Sequence, residues 1–120
     1  VSEPLDIAQC PAALIVFAME SCPMCHEYVP RLLARVEAYR ASGAPLVVHD
    51  EGDAVPPGSI PVLIYDVAAP DPALQALATQ FEANSMPATI ALVRGHGAFK
   101  SEGSLGEYQI DQLLDLVTGR

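Results

Sequence analysis

Apolar side chains fall along this chain in runs of two periods, and the alternation between them is its main signal. Ala12 to Met19 is an almost continuous apolar run ending at Ser21-Cys22-Pro23, which predicts a short strand buried on both faces. From Cys22 the period lengthens. Cys25, Val29, Leu32, Leu33 and Val36 recur at helical spacing, giving an amphipathic helix to near Arg40. Pro30 falls inside it, where an interior proline costs about 3 kcal/mol and implies a kink. Leu46-Val47-Val48-His49 reads as a short strand or as part of a loop, and 52–59, with Pro56-Pro57-Gly58, reads as a loop. Pro61 opens a second buried strand, Val62-Leu63-Ile64-Tyr65. Asp71-Pro72 pairs an N-cap acceptor with a proline at the first helical position, ahead of an apolar face of Leu74, Leu77, Ala78 and Phe81. Thr89 to Val93 is the next strand, which Gly95-His96-Gly97 turns into Ala98-Phe99-Lys100 as a hairpin. Ser104 with Glu107 three residues on forms a capping box for a last helix, whose buried stripe is Ile110, Leu113, Leu114 and Val117. Strands alternating with helices predict an α/β layer, with the hairpin added antiparallel at one edge.

Composition narrows the function classes. At 120 residues, with 51% apolar and 18% charged side chains, the chain is expected to fold as one domain over 1–120 rather than stay disordered. Six basic against 15 acidic residues give −9, a balance that repels phosphate backbones and argues against nucleic acid or an anionic membrane as partner. Pro11 to Met19 is the longest apolar run, far below the roughly 18–20 residues of a membrane span. Val1-Ser2-Glu3-Pro4 has no basic stretch leading into an apolar one. A cytoplasmic monomer is the expectation, with a periplasmic or secreted protein, after removal of a signal peptide, as the alternative.

Three cysteines are too few for a disulfide scaffold, so their placement matters. Cys10 stands alone before the first strand, where a small buried hydrophobe is the ordinary role. Cys22 and Cys25 lie where strand gives way to helix, and two intervening residues let their sulfurs meet across one turn. At a helix start, unpaired N–H groups and the positive dipole end favour a thiolate. The dipole supplies only about 0.3–1 kcal/mol, under one pKa unit, so direct N–H and S–H hydrogen bonds must supply much of the rest. On this reading Cys22 attacks and Cys25, on the apolar face, resolves.

These residues resemble the thioredoxin superfamily. Leu14-Ile15-Val16-Phe17 leading into Cys22-Pro23-Met24-Cys25 is similar to that family's central strand and active-site turn. Pro30, five residues after Cys25, matches its helix-kinking proline. The segment from Leu77 to Thr89, with Ser85-Met86-Pro87, resembles the one that carries its cis-proline. The resemblance implies a three-layer α/β/α sandwich around a mixed sheet of four to five strands, with an insertion at about 44–60. It also implies a cis Met86–Pro87 bond facing the sulfurs, with Pro23, Met24, Met86 and Pro87 shaping the site. The implied activity is thiol–disulfide exchange with protein or small-thiol substrates and a reductase or thiol reductant, with no cofactor and no metal. Departures are visible too. There is no Trp, Ser21 precedes the motif, and Val16 stands where thioredoxins carry a buried aspartate. The Cys-Pro-x-Cys pattern is closer to glutaredoxins and periplasmic disulfide oxidants.

Two other chemistries share these residues. Cys22-x-x-Cys25-His26 is the attachment signature of a c-type haem, with His26 as axial ligand. Thiolates of Cys22 and Cys25 with the thioethers of Met19, Met24 and Met86 would suit Cu(I). Within the redox reading, His26 tunes the local field, and Glu20 is a solvated turn residue or a proton acceptor. Asp66 ends the second strand and approaches the site if register allows. Asp50, Glu51 and Asp53 form a solvated acidic loop.

Overall fold

Six of the seven residues of β1 (Ala12–Ala18) are buried, because neighbours cover this strand on both edges and both faces. A computed structural model of the chain describes residues 10–49, 58–66, 72–80, 82, 85–94 and 96–119. Within them β1 is followed by α1 (Pro23–Ala41), β2 (Leu46–His49), β3 (Ile60–Asp66), α2 (Pro72–Gln80), β4 (Ala88–Val93), β5 (His96–Glu102) and α3 (Glu107–Thr118). The five strands form one mixed sheet in the order β2-β3-β1-β4-β5. β1 runs parallel to β3, from Leu14 opposite Val62 to Ala18 opposite Asp66, and antiparallel to β4. Leu46–His49, whose sequence suits either a strand or a loop, is an edge strand parallel to β3. Pro61 is tolerated in β3 because pairing with β1 starts only at Val62, so its missing N–H interrupts no ladder bond there.

Alternation along β1 sorts the core into two layers. Leu14 and Val16 pack with Tyr28, Leu32 and Val36 of α1 and with Ile110, Leu113 and Leu114 of α3. Ala13, Ile15 and Phe17 pack on the opposite side with Leu63, Tyr65 and Ile90, against Ala78 of α2. The result is the expected α/β/α sandwich. Asp71, Phe81, Gly95, the acidic loop residues and the side chains of Leu74 and Leu77 lie outside the described residues.

Two local expectations are corrected. The final helix is capped by Gly106 rather than Ser104: the Gly106 N–H donates to Gln109 Oε1 at 2.9 Å, while Ser104 Oγ accepts from Arg31 at 2.8 Å. Burial of Leu105 in the core draws the chain inward first, so the helix begins beyond it. The hairpin turn is also tighter than Gly95-His96-Gly97. β5 resumes at His96 opposite Val93, with Arg94 at φ 54°, and a bulge at Ala98 takes up the extra residue between Leu92–Gly97 and Ala91–Phe99.

Candidate active site

Cys22 is the N-cap of α1, held extended at φ −100° and ψ 107° with Pro23 opening the helix. Its amide donates to the Met19 carbonyl at 3.1 Å, closing the turn out of β1, and its own carbonyl accepts from the His26 N–H at 3.2 Å. Its sulfur takes the capping role usually filled by an oxygen: Cys22 Sγ accepts from the Cys25 N–H at 3.1 Å. Cys22 and Cys25 are joined as a disulfide, with their Cα atoms 5.2 Å apart. The two halves of the pair differ in access. Cys25 is only 3% exposed, whereas Cys22 is half-buried at the surface.

Met86 approaches from the loop before β4. The Met86–Pro87 peptide bond is cis, and the Met86 carbonyl oxygen lies 3.8 Å from Cys22 Sγ, within reach of a reduced thiol at that atom. Pro87 is buried and Met86 half-buried. Met24 and Met19 are exposed on the surface around the pair. The His26 ring folds back over the turn, its Nε2 bonding to the Glu20 carbonyl oxygen. Among the described residues no group of three or more His, Cys, Asp or Glu could hold a metal ion.

A recess of about 380 Å³ opens beside Cys25, between the ends of β1 and β3 and the first turns of α1. Met19, Val29 and Ile64 are among its apolar walls, and Glu20, His26 and Asp66 supply its polar ones. The register of β1 against β3 brings Asp66 there, opposite Ala18. Cys10, by contrast, sits half-buried ahead of β1, at the other end of the sheet.

No protein-family model matches the chain, and neither does any curated protein. Solved structures do. A solution structure of oxidised thioredoxin from Plasmodium falciparum superposes with a TM-score of 0.62 over 93% of this chain and 86% of that one, at 15% identity. The fold is thioredoxin-like. A mutant thioredoxin from Halobacterium salinarum gives 0.59 over 92% of this chain and 78% of its own, at 19% identity. A chain from structural work on thiol resolution in yeast mitochondrial 1-Cys peroxiredoxin, via glutathione and thioredoxin systems, gives 0.63 over 91% and 82%, at 17%.

Within this thioredoxin-like frame, the residues singled out from sequence converge on one end of the sheet: Cys22, Pro23, Met24, Cys25 and His26 on α1 and its cap, Glu20 on the turn before it, and Met86-Pro87 opposite. Val16 is fully buried in the apolar layer shared by α1 and α3. Sequence reasoning missed a hydroxyl pair behind the site. Tyr28 and Thr89, both wholly buried, hydrogen-bond at 2.8 Å, tying α1 three residues past Cys25 to β4 two residues past Pro87. Burial pushes the Tyr28 phenol above its ordinary pKa, while the bond to Thr89 and the nearby Arg31 pull the other way. The available signal was a tyrosine on the buried stripe of α1, whose hydroxyl needs a partner.

Proposed function

We infer that this chain catalyses thiol–disulfide exchange through Cys22 and Cys25. The observation that carries this reading is the pair itself: a half-exposed and a buried sulfur, bonded across the first turn of a helix, beside the backbone of Met86. In the reduced protein, the Cys25 N–H and the N-terminal end of α1 favour a thiolate at Cys22, the more accessible sulfur. That thiolate attacks a substrate disulfide, and one substrate sulfur leaves as a thiolate and takes a proton from water. Cys25, deprotonated in turn, attacks Cys22 Sγ and displaces the second substrate thiolate. Two electrons pass from the protein dithiol to the substrate, and the Cys22–Cys25 disulfide remains. A thiol reductant returns that disulfide to the dithiol by the same exchange, being oxidised itself, and the reverse sequence oxidises a substrate dithiol. Met86 and Pro87 present backbone to an extended polypeptide at the moment of exchange, which favours protein substrates.

Replacing each cysteine tests the scheme. Cys22→Ala abolishes turnover of a protein disulfide, and Cys25→Ala accumulates the substrate as a mixed disulfide visible on non-reducing gels. Undiminished turnover by Cys25→Ala would overturn the dithiol mechanism, and retained turnover by Cys22→Ala would overturn the assignment of the nucleophile.

A further inference from the structure

The bonds that fasten α1 divide at Pro30, which has no N–H to give to the His26 carbonyl and so weakens the helix behind its cysteine-bearing start. The side-chain bonds to α3 and the segment before it come from beyond that break. Arg31 donates to Ser104 and the Leu105 carbonyl, Arg35 to Asp111, and Tyr39 to the Asp111 carbonyl and to Asp115. Tyr28 lies ahead of the break, nearly one turn past Cys25, and its hydroxyl bonds to Thr89 Oγ1 at 2.8 Å with both side chains wholly buried. Apolar packing is non-directional and resists sliding of a helix only weakly, whereas breaking a buried hydroxyl bond strands a polar atom.

The strand side of this bond is itself fixed. Thr89 lies opposite Val16 in the ladder between β1 and β4. Two residues earlier the Pro87 carbonyl accepts from the Gly103 N–H at 2.7 Å, which anchors the segment carrying the Met86 carbonyl. The sheet thus holds one half of the site, and the first turns of α1 carry the other.

We propose that Tyr28 and Thr89 are positioning residues for exchange with polypeptide disulfides, their bond holding the cysteine-bearing turns of α1 in register with the Met86 carbonyl. The inference deepens the oxidoreductase reading and rests on it. Cys22 Sγ and the Met86 carbonyl oxygen are 3.8 Å apart. A polypeptide lying along Met86 must bring its own sulfur in line with Cys22, so a shift of the helix start misaligns it. A small disulfide approaches Cys22 with no backbone to align and tolerates the same shift.

The test uses the pre-reduced full chain with a capped heptapeptide disulfide centred on cysteine and with 2-hydroxyethyl disulfide, which has no polypeptide backbone. Single-turnover rates are read by acid quench, alkylation and mass measurement, at a temperature where circular dichroism shows each variant folded. Tyr28→Phe and Thr89→Val each lower the peptide-to-hydroxyethyl rate ratio about fivefold, well inside the roughly 10²-fold cost of an ångström-scale misplacement. The double variant falls no further than either single one, because the same bond is lost in all three. Thr89→Ser keeps the hydroxyl and with it the parent ratio. Val117→Ala opens a cavity in the same core layer from α3, lowering stability without moving the ratio. An unchanged ratio in Tyr28→Phe, losses that multiply in the double variant, a fall in Thr89→Ser as deep as in Thr89→Val, or an equal fall in Val117→Ala overturns the positioning role. Tyr28→Phe measured against Val117→Ala decides it alone where Thr89→Val does not fold. A parent protein that reacts with neither disulfide overturns the oxidoreductase reading instead.

Discussion

Thr89 and Tyr28 are both fully buried, and the hydroxyl of each is satisfied by the other. Removing either member strands the other in the core. Thr89→Val therefore destabilises the fold by about 1–3 kcal/mol, the range for a buried hydroxyl left without its bond, and Tyr28→Phe falls in the same range. Replacing both together is milder than the sum, because no polar atom is then stranded. Urea unfolding of the four proteins checks this, and strictly additive losses would contradict a direct bond. The sequence hints that a tyrosine on the helix stripe needs a partner but not which, because Thr89 stands 61 positions away and resembles an ordinary strand residue. The cysteine pair was legible because both partners sit within one turn, so local geometry sufficed.

At the scale of elements, α1 is the hub, and its far half is fastened to α3. Arg35 makes a two-pronged contact with Asp111, at 2.7 and 3.0 Å, and Tyr39 donates to Asp115 Oδ1 at 2.7 Å. Burial first, then the bond to Asp115 and the charges of Asp115 and Asp111, push the Tyr39 phenol up to about 12. The sign of the linkage follows. Above pH 10 an unfolded tyrosine loses its proton while the folded one keeps it, so the unfolded state binds fewer protons and stability falls. The loss proceeds from about pH 10 and is complete once pH passes the folded value near 12. Tyr39→Phe flattens that part of the stability profile, as thermal unfolding across alkaline pH would show; an unchanged slope would contradict it. Element order was readable because hydrophobic period distinguishes strand from helix. Boundaries were read less well. At Ser104 the pull of Leu105 into the core overrode a good capping pattern, and at Ala98 a bulge shortened a turn that its glycines had suggested was longer.

Across the whole molecule, protection should follow position in the sheet. β1 is flanked by β3 and β4 and covered by helices on both faces, so the amides of Leu14 to Phe17 open only on global unfolding. β5 is an edge strand with most of its side chains exposed, and its amides exchange through local fraying orders of magnitude sooner. Hydrogen exchange read residue by residue tests this, and equal protection factors in the two strands would refute it. The central position of β1 also governs which sulfurs can ever meet. Cys10 lies ahead of its first residue and Cys22 beyond its last, so seven extended residues, about 23 Å at 3.3 Å each, stand between them. Disulfide bonding needs Cα atoms within about 7 Å. The sheet therefore acts as a rigid spacer that keeps the third thiol out of the exchange chemistry of its own molecule. Any disulfide to Cys10 forms between molecules and scales with concentration, and internal scrambling must wait until the best-protected strand in the fold is pulled out.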